Sequence, residues 1–225
     1  MNKSVVYGLV GVAVVLAVVA GYFMFSGSSG SLGDGSDRVS IDIKPTDRIH
    51  GSPNAPITIV EYASMTCSHC ARFEREVMPQ LVHDYVDTGK VKIVFRDFPL
   101  DGAARLASAL ALCVPQDKYF SFIDLLFLNQ KSWLADLNND QKVSADEIVE
   151  GLAQMGRFAG FNREKVESCI GDQSTLAYID QTQADAQARY GINSTPTFFI
   201  NGEEQKGEIH WEDLDKKLKT ILAQK

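Results

Sequence analysis

Met65-Thr66-Cys67-Ser68-His69-Cys70 is the stretch on which the reading of this chain turns, with Glu61 and Tyr62 just before it and a helix-like run just after. Two thiols three residues apart can close a disulfide or attack one. Where such a pair follows an apolar strand and opens a helix, the positive amino end of the helix stabilises a thiolate on the first sulfur. The same spacing also serves as half of a zinc site or as a structural disulfide, so the surrounding sequence has to choose. Ile57-Thr58-Ile59-Val60-Glu61-Tyr62 upstream reads as a buried strand of β-branched residues. Downstream, Phe73, Val77, Leu81 and Tyr85 recur every four residues, with Met78 and Val82 beside them, which predicts a helix from Cys67 to a stop near Gly89, bent at Pro79. Val91 to Arg96 is a second strand. A strand-helix-strand unit of this length makes the two strands parallel and sets the thiols at the carboxyl end of the first, where open α/β sheets place their chemistry.

The bulk properties narrow the choice. The chain has 225 residues, 45% of them apolar and 23% charged, enough for a real core. A net charge of -7 argues against a phosphate-binding surface, so nucleic acid is not an expected partner. Zinc would need four ligands. Cys113 and Cys169 could complete a four-thiolate set, but structural zinc sites usually supply two tight pairs and these two stand alone, so no metal is assigned.

At the amino terminus, Val5 to Phe25 carries no charge over 21 residues. As a helix it would reach about 31 Å, the thickness of a hydrocarbon core. Lys3 precedes it and no Lys or Arg follows until Arg38, which places the bulk of the chain outside the cytoplasm, in an oxidising space. We read residues 1–25 as a retained membrane anchor; the small residues Val18-Val19-Ala20 offer the alternative of a cleaved signal and a soluble periplasmic protein. Residues 26–40, rich in Gly and Ser, read as a flexible tether. Nothing between the tether and residue 50 is large enough for a dimerisation domain, so a monomer is expected.

From Asp101 to about Gly191 strand patterns give way to helical ones: Ala103 to Cys113, Lys118 to Leu128, Ser144 to Met155, Arg163 to Ile170 and Thr175 to Tyr190. This is a helical insertion at residues 101–190, between a first sheet part at 41–100 and a second at 191–225. Ile192 to Ile200 restores strand character, Asn201-Gly202 is a hairpin turn signal into Glu203 to Lys206, and Leu214, Leu218, Ile221 and Leu222 give a closing amphipathic helix.

With Cys67-Ser68-His69-Cys70, Thr195-Pro196 opening a late strand and a helical insertion between them, the chain resembles the DsbA-type thiol-disulfide oxidoreductases of the thioredoxin superfamily over roughly residues 40–222. The resemblance implies an α/β thioredoxin fold with an inserted helical subdomain, a cis bond before Pro196 facing the cysteines, and no cofactor. It implies that Cys67 is the exposed, exchanging sulfur, with an acidity in the range of about 3.5 to 7.5 for such motifs, the family itself setting the low end. Cys70 would be the resolving thiol. His69 could donate a hydrogen bond or charge to the Cys67 sulfur, its alternative being a solvated residue on the first turn. Glu61 matches a buried acid that relays protons to Cys70, its alternative being a solvent-facing edge position. Thr195 and Pro196 would present backbone to an extended substrate. The family most often has proline where this chain has Ser68, a departure that bears on redox potential and not on reaction type.

An oxidising space and two cysteines left over make a structural Cys113–Cys169 disulfide the leading reading, with two buried free thiols as the alternative. Asp136 to Glu147 matches a calcium-binding EF-hand loop at positions one, three, five, eight and twelve, but Gln141 stands where the turn glycine belongs, and Ser144 with Glu147 is equally a capping box. His50, His83 and His210 are read as none of them ligands. Phe120, Phe122, Phe127, Trp133, Phe158 and Phe161 are expected in the core of the insertion.

The function expected is an extracytoplasmic disulfide oxidase, acting on unfolded or reduced substrate proteins and reoxidised by a DsbB-like membrane protein that passes electrons to quinone. A tethered reductase or isomerase keeps the site and reverses electron flow. A non-enzymatic module that holds peptides or a soft metal through the two thiols is the alternative of another class.

Overall fold

The computed structural model describes residues 39–134 and 144–224. Five strands form one sheet in the order β1-β3-β2-β4-β5. They are β1 (Arg48–His50), β2 (Ile57–Ala63), β3 (Val91–Asp97), β4 (Thr197–Ile200) and β5 (Glu203–Lys206). The central pair β2 and β3 is parallel, in register from Ile57 opposite Val91 to Ala63 opposite Asp97. β4 runs antiparallel to β2, and β5 returns from β4 through Asn201 and Gly202, both at positive φ, as a tight hairpin turn requires.

β1 is a strand the sequence pattern does not announce. It is three residues long and carries Arg and His, so neither length nor alternation marks it. Tertiary bonds hold it instead: Arg48 pairs with Phe95, and the neighbouring Asp47 carboxylate clasps the buried Arg96 guanidinium at 2.7 and 3.1 Å. Strand character also returns later than expected, at Thr197 and not Ile192, and the Thr195–Pro196 bond just before β4 is cis.

The long helix predicted after Cys67 is broken into α1 (Ser68–Glu76), α2 (Met78–Leu81) and a π-helical stretch, Val82–Val86. Pro79 lacks an N–H and its ring crowds the carbonyl of Arg75, so the break falls at Val77. Gly89, at φ +71°, then reverses the chain into β3.

Between β3 and β4 lie α3 (Gly102–Cys113), a 3-10 turn at Gln116–Lys118, α4 (Tyr119–Leu128), α5 (Gln130–Trp133), α6 (Ala145–Phe158), α7 (Arg163–Ile170) and α8 (Gln173–Tyr190). α9 (Trp211–Ala223) closes the chain. Because strand residues alternate faces, Ile57, Ile59, Val91, Ile93 and Phe198 meet Phe73 and Leu81 together with Leu214 and Leu218 of α9 on one side. Val60, Tyr62, Val94 and Phe199 meet Ala186 of α8 on the other. The last helix of the insertion thus serves as the second cover of the sheet. The remaining helices share a core with Cys67, Cys70 and Phe95, built around Phe122, Phe127 and Trp133.

Phe158 corrects one expectation: it is 72% exposed. Ile148, Leu152 and Met155 define the buried stripe of α6, and the next position on it is Ala159, one residue past Phe158. Cys113 and Cys169 are bonded, Cα to Cα 5.9 Å, and tie the end of α3 to α7. Ser144 and Glu147 form the capping box of α6, so Glu147, the last ligand position of the EF-hand match, is engaged in a helix cap. The rest of that match, residues 136–143, falls outside the described residues, as do the segment Val5 to Phe25 and the tether up to residue 38. Among the described residues no helix is long and apolar enough to cross a membrane, and no cluster of His, Cys, Asp and Glu could hold a metal ion.

Candidate active site

The site forms where β2 hands the chain to α1. Cys67 is the N-cap of α1, in extended conformation, and its sulfur accepts the backbone N–H of Cys70 at 3.3 Å. A cap residue faces amides that have no partner inside the helix, so a negative sulfur is favoured there. On its other side the Cys67 thiol meets the carbonyl oxygen of Thr195 at 3.5 Å, which brings the cis-proline turn over the pair. Both thiols are free and buried, Cys70 fully and Cys67 6% exposed, so the sulfur expected to be exposed is largely covered where the Thr195 turn lies against it.

Their acidities diverge. A hydrogen bond from the Cys70 thiol, followed by the Thr195 side-chain hydroxyl and the backbone N–H groups of Cys70 and His69, pulls Cys67 down to about 6 against the opposing effect of burial. Burial, the bond given to Cys67, and the nearby Glu61 push Cys70 far above its usual range. One sulfur is therefore a thiolate at neutral pH and the other a thiol.

Glu61 lies on β2, 1% exposed, and neither carboxylate oxygen has a hydrogen-bond partner among the described residues. Burial, then the charges of Cys67 and Asp124, raise it to about 8, so it holds a proton at neutral pH beneath Cys70. An edge position facing solvent is excluded. Two acids without any distinguishing sequence signal sit close by. Glu74, one turn beyond Cys70, and Asp124 on α4 hydrogen-bond to each other, and both are pushed up by burial.

His69 does not direct its ring at Cys67. Its Nδ1 is bound to Glu208 on the loop after β5, and Arg72 reaches the second Glu208 oxygen at 3.0 Å. The backbone N–H of His69, not its imidazole, faces the sulfur. Gln130 of α5 is a further contact without a sequence signal: its Nε2 donates to the carbonyls of Met65 at 2.9 Å and Cys67 at 3.1 Å, pinning the motif to the insertion. Thr66 donates to Asp101, which caps α3, so the preceding turn is held as well.

The thioredoxin family model matches residues 44–220. A solved structure of Wolbachia pipientis alpha-DsbA1 superposes with a TM-score of 0.72 at 29% identity, covering 81% of this chain and 94% of that one. The chain is a DsbA-type member of the thioredoxin family. Among curated relatives, a candidate protein-disulfide oxidoreductase of Rickettsia bellii is 30% identical over 73% of this chain and 61% of its own length. Disulfide bond formation protein D of Bacillus subtilis is 24% identical over 78% of this chain and 77% of its own. The chain thus spans about three-fifths of the curated relatives it matches first. The DsbA-type fold accounts for the juxtaposition seen here: β2 delivers the thiols and β4 delivers Pro196 from the neighbouring strand, so Cys67 and Thr195, 128 residues apart, meet.

Proposed function

We propose that the chain is an extracytoplasmic protein thiol-disulfide oxidase that gives its Cys67–Cys70 disulfide to folding proteins. The observation that carries this is geometric: Cys67 caps α1 against the cis-proline turn while Cys70 is enclosed behind it, an arrangement that favours a thiolate on the first sulfur and a thiol on the second. A sulfur whose thiolate is stabilised is a good leaving group and makes the reduced pair the favoured state.

In the oxidised pair, a substrate thiolate attacks Cys67 Sγ. The Cys67–Cys70 bond breaks, a mixed disulfide forms at Cys67, and Cys70 leaves with the electron pair. Glu61, protonated at neutral pH, is the proton donor for that sulfur. The second substrate thiolate then attacks its own sulfur in the mixed disulfide and Cys67 departs as a thiolate. The substrate is oxidised by two electrons, and the pair is left as one thiolate and one thiol. Thr195 and Pro196 offer the extended substrate a backbone edge beside Cys67.

The supports for the cellular setting are those of the sequence. The apolar run at residues 5–25, with Lys3 before it, favours tethering to the inner membrane, the domain facing the periplasm. Resemblance to the DsbA type favours a quinone-linked membrane protein as reoxidant and a monomeric enzyme with unfolded protein thiols as substrates. The Cys113–Cys169 bond fits an oxidising space.

The test is oxidation of a reduced two-cysteine peptide by the oxidised chain. Stoichiometric peptide disulfide is expected, with Cys67→Ala inactive and with reduced Cys70→Ala, given the disulfide form of the peptide, trapped as a mixed disulfide at Cys67. Oxidation that survives Cys67→Ala would refute the assignment.

A further inference from the structure

We infer that Glu208 is a latch on His69: by holding the imidazole against the loop between β5 and α9, it keeps the ring off the Cys67 sulfur and so limits how oxidising the pair becomes. This rests on the redox reading above and deepens it.

The geometry is a two-pronged clamp. The Glu208 side chain, 24% exposed, receives His69 on Oε1, while Arg72 Nη1 straddles the carboxylate at 2.9 Å from that oxygen and 3.0 Å from the other, both partners coming from the first turns of α1. Its loop is fixed in turn, because the N–H of Gly207 donates to the carbonyl of Pro196 at 2.9 Å. The latch therefore joins the two halves of the site, the thiol helix and the cis-proline turn, across 139 residues of sequence. The titratable and charged groups that face Glu208 are His69 and Arg72 from α1 and His210 from its own loop, and Glu76 lines the same cleft. The hydrogen bond with His69 first, then Arg72 and His210, hold the Glu208 carboxyl below its ordinary range.

His69 lies two residues beyond Cys67, and a free ring there could give the thiolate a hydrogen bond and, when protonated, a charge. In the latched arrangement His69 gives the sulfur only its backbone amide. The ring's contribution to the thiolate is thereby withheld. Glu208 is a positioning residue, since it touches neither sulfur and acts through His69.

The test uses the full chain in the reduced state, with Cys67 ionisation followed by thiolate ultraviolet absorbance against pH. E208Q keeps the size of the side chain and removes its charge. It is expected to lower the midpoint, raising the thiolate fraction at pH 5 about threefold, and to shift the glutathione equilibrium threefold or more toward the reduced chain, tenfold being about 30 mV. H69A alone should leave the midpoint where it is, and H69A with E208Q should return it to the parent value. An unshifted midpoint in E208Q, or a shift that persists in the double variant, overturns the latch. So does H69A raising the midpoint while Glu208 is present, a measurement on an exposed side chain that stands even if E208Q fails to fold. Failure of the parent chain to equilibrate with glutathione would sink the redox reading itself, a result distinct from any of these.

Discussion

Cys67 and Cys70 carry identical side chains and titrate in opposite directions because one caps a helix and the other is enclosed behind it. That has a measurable consequence. Below about pH 6 reduction of the pair takes up two protons with two electrons, and above it only one, since Cys67 stays ionised. The potential should therefore fall by about 59 mV per pH unit below the break and about 30 mV above it. A single slope through pH 6 would contradict the assignment. Glu61 gives a second test, of stability. Its folded value of about 8 lies above the ordinary 4.5, so the folded chain holds a proton that the unfolded chain has released. Its contribution is fully present below about pH 4.5 and is lost progressively as pH rises to about 8. Denaturant titration of the reduced Glu61→Leu protein at pH 8.5 should show a gain over the parent of roughly 1 to 3 kcal/mol, the cost of a buried polar group without partners, and a smaller gain at pH 4. The same variant should exchange more slowly, having lost its proton donor. The paired thiols and an acid in an apolar strand are conspicuous within a few residues of sequence, whereas Pro196 entered only through the family resemblance, since Thr-Pro before a strand reads by itself as a simple turn. Glu208, Gln130, Glu74 and Asp124 could not be read, because each is an ordinary polar residue on its own segment and gains its role only from a partner far away in the chain.

Among the elements, those with strong local periodicity were legible and those made by tertiary contact were not. β2, β3 and the helices α3, α4, α6, α7 and α8 fall where apolar spacing puts them, within a few residues. β1 exists because Phe95 and Arg96 offer it a partner, and Val77 ends α1 because of a proline two residues later. Gly151 shows packing overruling propensity. A Cβ added there would meet the Trp133 carbonyl oxygen at 2.3 Å, where α6 crosses the end of α5. Alanine in place of a mid-helix glycine ordinarily stabilises by up to about 1 kcal/mol. Here the contact is with backbone, which cannot rotate away, so Gly151→Ala should destabilise by about 1 to 3 kcal/mol in urea unfolding. A net gain would mean that α5 and α6 are less tightly apposed. Because Gln130 at the start of α5 holds the Cys67 carbonyl, loosening that crossing should also disturb the site.

At the scale of the whole molecule, a parallel unit and a hairpin supply the two halves of the active site, and the helical insertion both covers the sheet and braces the thiol turn. The order of these parts was legible because hydrophobic period changes from strand to helix and back. The double duty of α8 was not, since its apolar contacts lie on the sheet and not within its own segment. The Cys113–Cys169 bond closes a sequence separation of 56 residues, and replacing both by Ala should cost about 2 to 4 kcal/mol in denaturant unfolding while leaving the fold intact. An unchanged midpoint would show that the bond constrains little in the unfolded chain. The claim that this is an oxidase stands or falls on the strength of the Cys67–Cys70 pair, which Ser68 in place of the family's usual proline leaves open to measurement. The direct determination is its potential at pH 7 by equilibration with glutathione, read from the reduced and oxidised fractions of the full chain. An oxidising value above about -200 mV is expected, and a value near the roughly -270 mV of thioredoxin would contradict the account and make the protein a reductase.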